Sequence, residues 1–131
     1  TLFPYTTLFR SEDLAGKQVA AKIGAEGCAF AESIADQYGF TIAQFEDSAT
    51  MFQDVLAGTS AAVFDDYPVI GYEITRGIGL SLPMPMERGS SYGIATLKGK
   101  NPELVEMLNK GLADLKESGK YDEIVNTYIS K

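Results

Sequence analysis

The 131-residue chain has no tryptophan, no histidine and a single cysteine, Cys28. One cysteine rules out a disulfide framework within the chain, and without histidine a typical zinc site has no imidazole to use. Cysteine nucleophilic catalysis needs a base, and no imidazole is present to act as one. Cys28 follows a helix start, where a thiolate would be stabilised, but a small buried residue is the simpler role for it. Basic residues are also scarce. Eleven Lys and Arg stand against 18 Asp and Glu, a net charge of −7. With no Lys/Arg cluster to offset it, this balance argues against a nucleic-acid partner and reads as an acidic, solvated surface. No apolar run is long enough to span a bilayer. What remains is an ordinary soluble, globular composition, 45% hydrophobic and 22% charged, at a length that suits one domain with one core.

The patterning is that of an α/β protein. Lys17-Gln18-Val19-Ala20-Ala21-Lys22-Ile23 reads as a strand, and Gly24-Ala25-Glu26-Gly27 as a glycine-bracketed turn. A helix over residues 28–38 puts Phe30, Ile34 and Tyr38 on one face and stops at Gly39. Thr41-Ile42-Ala43-Gln44-Phe45 alternates as a second strand. Asp47 or Ser48 caps a helix carrying Met51, Phe52, Val55 and Leu56, which Gly58 stops. Residues 61–64 form a third strand and residues 67–75 a third helix, so the βαβαβα order predicts a parallel sheet with right-handed crossovers. After breakers at Gly77, Gly79, Pro83 and Pro85, Leu80-Ser81-Leu82 is expected to pair at an edge, and residues 91–97 to form the last strand. Asn101 and Pro102 open a long helix with Leu104, Leu108, Leu112 and Leu115 in one stripe. A final helix places Tyr121, Ile124, Val125 and Tyr128 together.

Two strand-to-helix junctions carry the chemistry. In Val63-Phe64-Asp65-Asp66-Tyr67-Pro68, two carboxylates sit where a strand feeds a helix. In an open α/β sheet the carboxyl ends of the strands are where ligands bind, so an aspartate there is placed to hold a cation such as an α-ammonium. At the other junction, the backbone amides at the helix start near Ala25 and Glu26 can hold a carboxylate. One junction suits an anion and the other a cation, as a zwitterionic amino acid requires. Asp66 is equally a helix N-cap, and Asp65 and Asp66 are expected to face opposite ways, one into the cleft. Lys22 ends the first strand, where a lysine is more often simply solvated.

At these blocks the sequence resembles the second lobe of bacterial polar-amino-acid-binding proteins, the solute receptors of ABC importers, with the glutamine-binding type nearest. The resemblance rests on Lys22 with Gly24-Ala25-Glu26-Gly27, on Ala62-Val63-Phe64-Asp65-Asp66-Tyr67-Pro68, on Tyr92-Gly93-Ile94-Ala95, and on the tail from Asn101-Pro102-Glu103-Leu104 to Gly119-Lys120-Tyr121-Asp122-Glu123-Ile124. It covers about residues 12–131. It implies a periplasmic-binding-protein-like (type II) single lobe, a parallel-rich sheet flanked by helices, over residues 12–97. It also implies a helical tail, residues 98–131, that normally packs on the first lobe, which this chain lacks. By the same resemblance Asp66 binds the ligand α-ammonium and Lys22 lies near the ligand side chain. Ala25 and Glu26 stand where the family carries small hydroxyl residues or glycine, so the backbone amide survives but the hydroxyl does not. A Glu26 carboxylate turned inward would repel the ligand carboxylate.

The implied function is an extracytoplasmic, non-enzymatic receptor, periplasmic or extracellular, that delivers a polar L-amino acid to an ABC permease without a cofactor. Lipid anchoring of the full-length protein stays open. Two alternatives use the same fold: a cyclohexadienyl-dehydratase-like enzyme and the ligand-sensing domain of a receptor. Residues 1–11 do not share the resemblance. They look like a translated sequencing adapter, hence a non-native leader, so a missing signal peptide says nothing about export. The alternative is a native β-rich segment. If the tail stripe lacks its usual cover, self-association through it is expected.

Overall fold

The fold is built around Val19, Ala20 and Ala21, three fully buried residues in the middle of a three-stranded parallel sheet. The structure, a computed structural model, describes residues 10–87, 89 and 91–129. Residues 1–9 of the segment expected to be a non-native leader lie outside these. The chain divides into two units between residues 89 and 90.

In the first unit, a 3-10 turn at Ser11–Leu14 buries Leu14 and leads to β1 (Gln18–Lys22). Then follow α1 (Glu26–Tyr38), β2 (Thr41–Phe45), α2 (Ser48–Leu56), β3 (Ala62–Phe64) and α3 (Tyr67–Thr75). The strand order is β2-β1-β3. Val19 sits between Ile42 and Ala62, and Ala20 between Ala43 and Val63. Because side chains alternate along a strand, these rows face opposite ways. Val19, Ile42, Ala62 and Phe64 pack with Ala31, Ile34 and Phe40 on the α1 side. Ala20 and Val63 pack with Met51, Phe52 and Ile70 on the side of α2 and α3. This gives helices on both faces of a parallel sheet.

Local chemistry explains most boundaries. Gly39 closes α1 at φ 69°, a left-handed conformation that suits glycine. Asp47 caps α2: its carboxylate accepts from Thr50 N at 2.9 Å and Thr50 Oγ1 at 2.9 Å. Those bonds hold its carboxyl below the usual range. Pro68 fits the first turn of α3, where its missing N–H costs nothing.

Three expectations need correction. α1 starts at Glu26, two residues earlier than the pattern predicted, because the extended Ala25 already offers its carbonyl to the Cys28 and Ala29 amides. Leu80-Ser81-Leu82 pairs with no described strand, although Leu80 packs on the core. Residues 91–97 form no strand either. Tyr92 and Ile94 are each 71% exposed, and without a neighbouring ladder β propensity alone does not make a strand.

The second unit holds α4 (Pro102–Glu117) and α5 (Lys120–Tyr128), which pack on each other. Leu104, Leu112, Leu115, Ile124 and Tyr128 remain exposed. No helix among the described residues is long and apolar enough to cross a membrane.

Gly27 and Gly111 offer a test of the packing. A Cβ at Gly27 would lie 2.8 Å from the carbonyl carbon and oxygen of Phe64, whereas one at Gly111 in α4 would meet nothing within 4 Å. Gly27→Ala should therefore cost about 1–3 kcal/mol. Gly111→Ala should stabilise by up to about 1 kcal/mol. Urea denaturation followed by circular dichroism measures both. Equal effects would show that the α1–β3 contact is not tight.

Candidate functional site

β1 and β3 are adjacent and parallel, but the helices that follow them cover opposite faces of the sheet. That reversal opens a crevice at their carboxyl ends, the usual ligand position in such sheets. All five residues singled out in the sequence lie at this end. Lys22 closes β1, Ala25 and Glu26 begin α1, and Asp65 and Asp66 join β3 to α3.

The first turn of α1 is pressed against the end of β3. The virtual Cβ of Gly27 falls 2.9 Å from Asp65 N as well as 2.8 Å from Phe64 C and O. Phe64 is held there by rings on the α1 side, with centroids 5.7 Å from Phe30 and 6.0 Å from Phe40. Gly24, at φ 73°, makes the turn out of β1, and Ala25 N donates to Lys22 O at 3.2 Å. Ala25 is the N-cap residue and has no side-chain oxygen to satisfy the first amides of the helix. Among the described residues the Glu26 and Gly27 amides meet no hydrogen-bond acceptor, and the helix dipole favours an anion at this end. The Glu26 side chain is exposed.

On the other side, Asp66 is the N-cap residue of α3 by backbone position, but its side chain makes no capping hydrogen bond. The capping role weighed against ligand binding is thus not what occupies this carboxylate. Asp65 takes the local bond instead: Asp66 N donates to Asp65 Oδ1 at 2.9 Å. Asp65 Oδ2 is buried without a hydrogen-bond partner among the described residues. Burial pushes the Asp65 carboxyl up, opposed by the Asp66 N–H and by the charge of Lys22. Lys22, half-buried, donates through Nζ to Ser48 Oγ at 3.2 Å.

Two residues of the site escaped the sequence reading. Gly27 was taken only as a turn bracket and Ser48 only as an alternative cap. The available signal was the parity of β1, which puts Lys22 on the same face as Ala20 and so toward α2. Cys28 is buried, with Gln44 Nε2 at 3.5 Å and Glu32 Oε1 at 3.7 Å from Sγ, and burial raises its thiol. That environment disfavours a reactive thiolate. No group of three or more Cys, Asp or Glu side chains among the described residues could hold a metal ion. A separate groove of 540 Å³ runs between α2 and α3 and touches this cluster only at Ser48. Tyr72 is exposed beneath the Arg76 guanidinium.

Comparison with known proteins agrees with this fold. The second substrate-binding domain of Lactococcus lactis GlnP, in its open conformation, is 41% identical with a TM-score of 0.71, covering 91% of this chain and 51% of that one. The second substrate-binding domain of a Streptococcus pneumoniae protein classed as an amino acid ABC transporter is 37% identical with a TM-score of 0.72, covering 92% and 55%. An ancestral arginine-binding protein bound to glutamine is 31% identical with a TM-score of 0.69, covering 92% and 53%. No protein-family model matches the chain, and no curated protein does. The α/β unit matches a single lobe of the periplasmic-binding-protein-like fold. The chain is related to the substrate-binding domains of amino acid ABC transporters and spans about half the length of those it matches.

The raised Asp65 carboxyl makes a pH prediction. Its folded form holds a proton to higher pH than its unfolded form, so its contribution to stability is full at low pH. That contribution is lost as pH rises from about 4 through the folded value. Asp65→Asn should match the parent in thermal stability near pH 3 and exceed it at pH 7. A variant less stable than the parent at pH 7 would mean that the ionised carboxylate is needed there.

Proposed function

We propose that this chain supplies one lobe of an extracytoplasmic solute-binding protein that takes a polar L-amino acid and passes it to the permease of an ABC importer. The observation that carries the reading is the pairing at the crevice. Asp66, whose carboxylate makes no capping bond to its own helix, opens α3 at the end of the strand beside β1, from which the uncapped start of α1 follows. An α-ammonium can be received by Asp66 and an α-carboxylate by the Glu26 and Gly27 amides. In this reading Lys22 lies near the ligand side chain.

Binding rather than catalysis is supported by the state of Asp65. It is the group with the raised carboxyl that an acid–base enzyme would use, yet its unpartnered oxygen is buried. Its other oxygen is engaged by the backbone.

The test is a chimera in which this chain replaces the matching half of the Lactococcus domain, titrated calorimetrically with L-glutamine and L-arginine. Binding of either is expected. Asp66→Ala should weaken it about tenfold to a hundredfold, the loss of one charge-assisted contact. A variant that binds as well as the parent would remove Asp66 from the ammonium site.

A further inference from the structure

Ser48 is the first residue of α2, but its hydroxyl is not the helix cap, because Asp47 already accepts from Thr50 N. The hydroxyl instead accepts from Lys22 Nζ at 3.2 Å. A serine that accepts one hydrogen bond still has a donor to give. An acceptor without a donor among the described residues lies close by: Asp65 Oδ2 is buried and has no partner there, while Oδ1 is taken by Asp66 N. Three elements thus converge on Asp65, bringing Lys22 from β1, Ser48 from α2 and Asp66 from the start of α3. Lys22 makes no direct ion pair with Asp65, yet the lysine charge and the Ser48 hydroxyl both oppose the effect of burial on that carboxyl. Ser48 does so without reaching hydrogen-bond geometry to Oδ2.

We propose that Ser48 is a positioning residue that fixes the Lys22 ammonium beside Asp65, so that these two charges compensate each other and Asp66 is left to receive the ligand's cation. Lysine carries its charge on a flexible four-carbon stem. Released from Ser48, the ammonium can turn to the unspent Asp66 carboxylate and compete with a ligand ammonium for it. The consequence for affinity rests on the ligand-binding reading above; the placement of Lys22 and Asp65 does not.

The experiment has two arms. The first follows the Asp65 side-chain carboxyl by NMR pH titration in the ligand-free chain. Ser48→Ala should move the titration upward, and so should Lys22→Met, which keeps the stem and removes the charge. Ser48→Thr, which keeps the hydroxyl, should leave it in place. The second arm measures L-glutamine affinity in the chimera. There Ser48→Ala should weaken binding about threefold to tenfold, and Ser48→Thr should restore it. An Asp65 titration unmoved by Ser48→Ala overturns the proposal whatever the affinity does, since a loss of affinity alone would mean that Ser48 touches the ligand. If the titration moves while the parent chimera binds no amino acid, the positioning role stands and the binding reading falls.

Discussion

The close approach of α1 to the end of β3 sets the geometry of the crevice. At Gly27 the helix backbone lies so near Phe64 and Asp65 that a Cβ would sit 2.8–2.9 Å from their main-chain atoms. Any side chain there would push the helix start away from the junction that carries Asp66. Glycine is a poor residue for a helix interior, but in the first turn it allows two strand-to-helix junctions to share one small space. The stacked and tilted rings around Phe64 hold the contact from the α1 side of the sheet. Packing in the core thereby fixes the distance between a group of amides and a carboxylate at the surface.

The charges at this end of the sheet are arranged by the same topology. Lys22, Asp65 and Ser48 meet because β1, β3 and α2 converge on one face, and the lysine acts on the carboxylate that burial makes costly. Asp66, one residue further on, is half-buried and free of capping bonds. Adjacent aspartates in the sequence therefore differ: Asp65 bonds the backbone of the junction, and Asp66 makes no capping bond. Glu26 departs from the small residues expected at its position, and its side chain is exposed.

Much of the fold was legible in the sequence because its signals are local. Asp47, Gly39 and Pro68 mark helix ends by capping, left-handed geometry and a missing donor, and β2, α2, β3 and α3 fall where these residues and the apolar periodicity put them. The start of α1 was misread because Ala25 gives no capping signal. Residues 91–97 were misread because a strand is made by its neighbour, and no neighbour is visible in a local pattern. The two junctions of the site could be recognised individually. The Gly27 contact could not, since it depends on the order β2-β1-β3, and the Lys22–Ser48 bond was signalled only by the strand parity that turns Lys22 toward α2.

The central claim is that one ligand engages both junctions at once, and backbone and side-chain NMR during an amino-acid titration of the chimera tests it most directly. The account predicts that the amides of Glu26 and Gly27 and the carboxylate of Asp66 shift together and saturate with a single Kd. Perturbation of one junction while the other stays silent at saturation would contradict it.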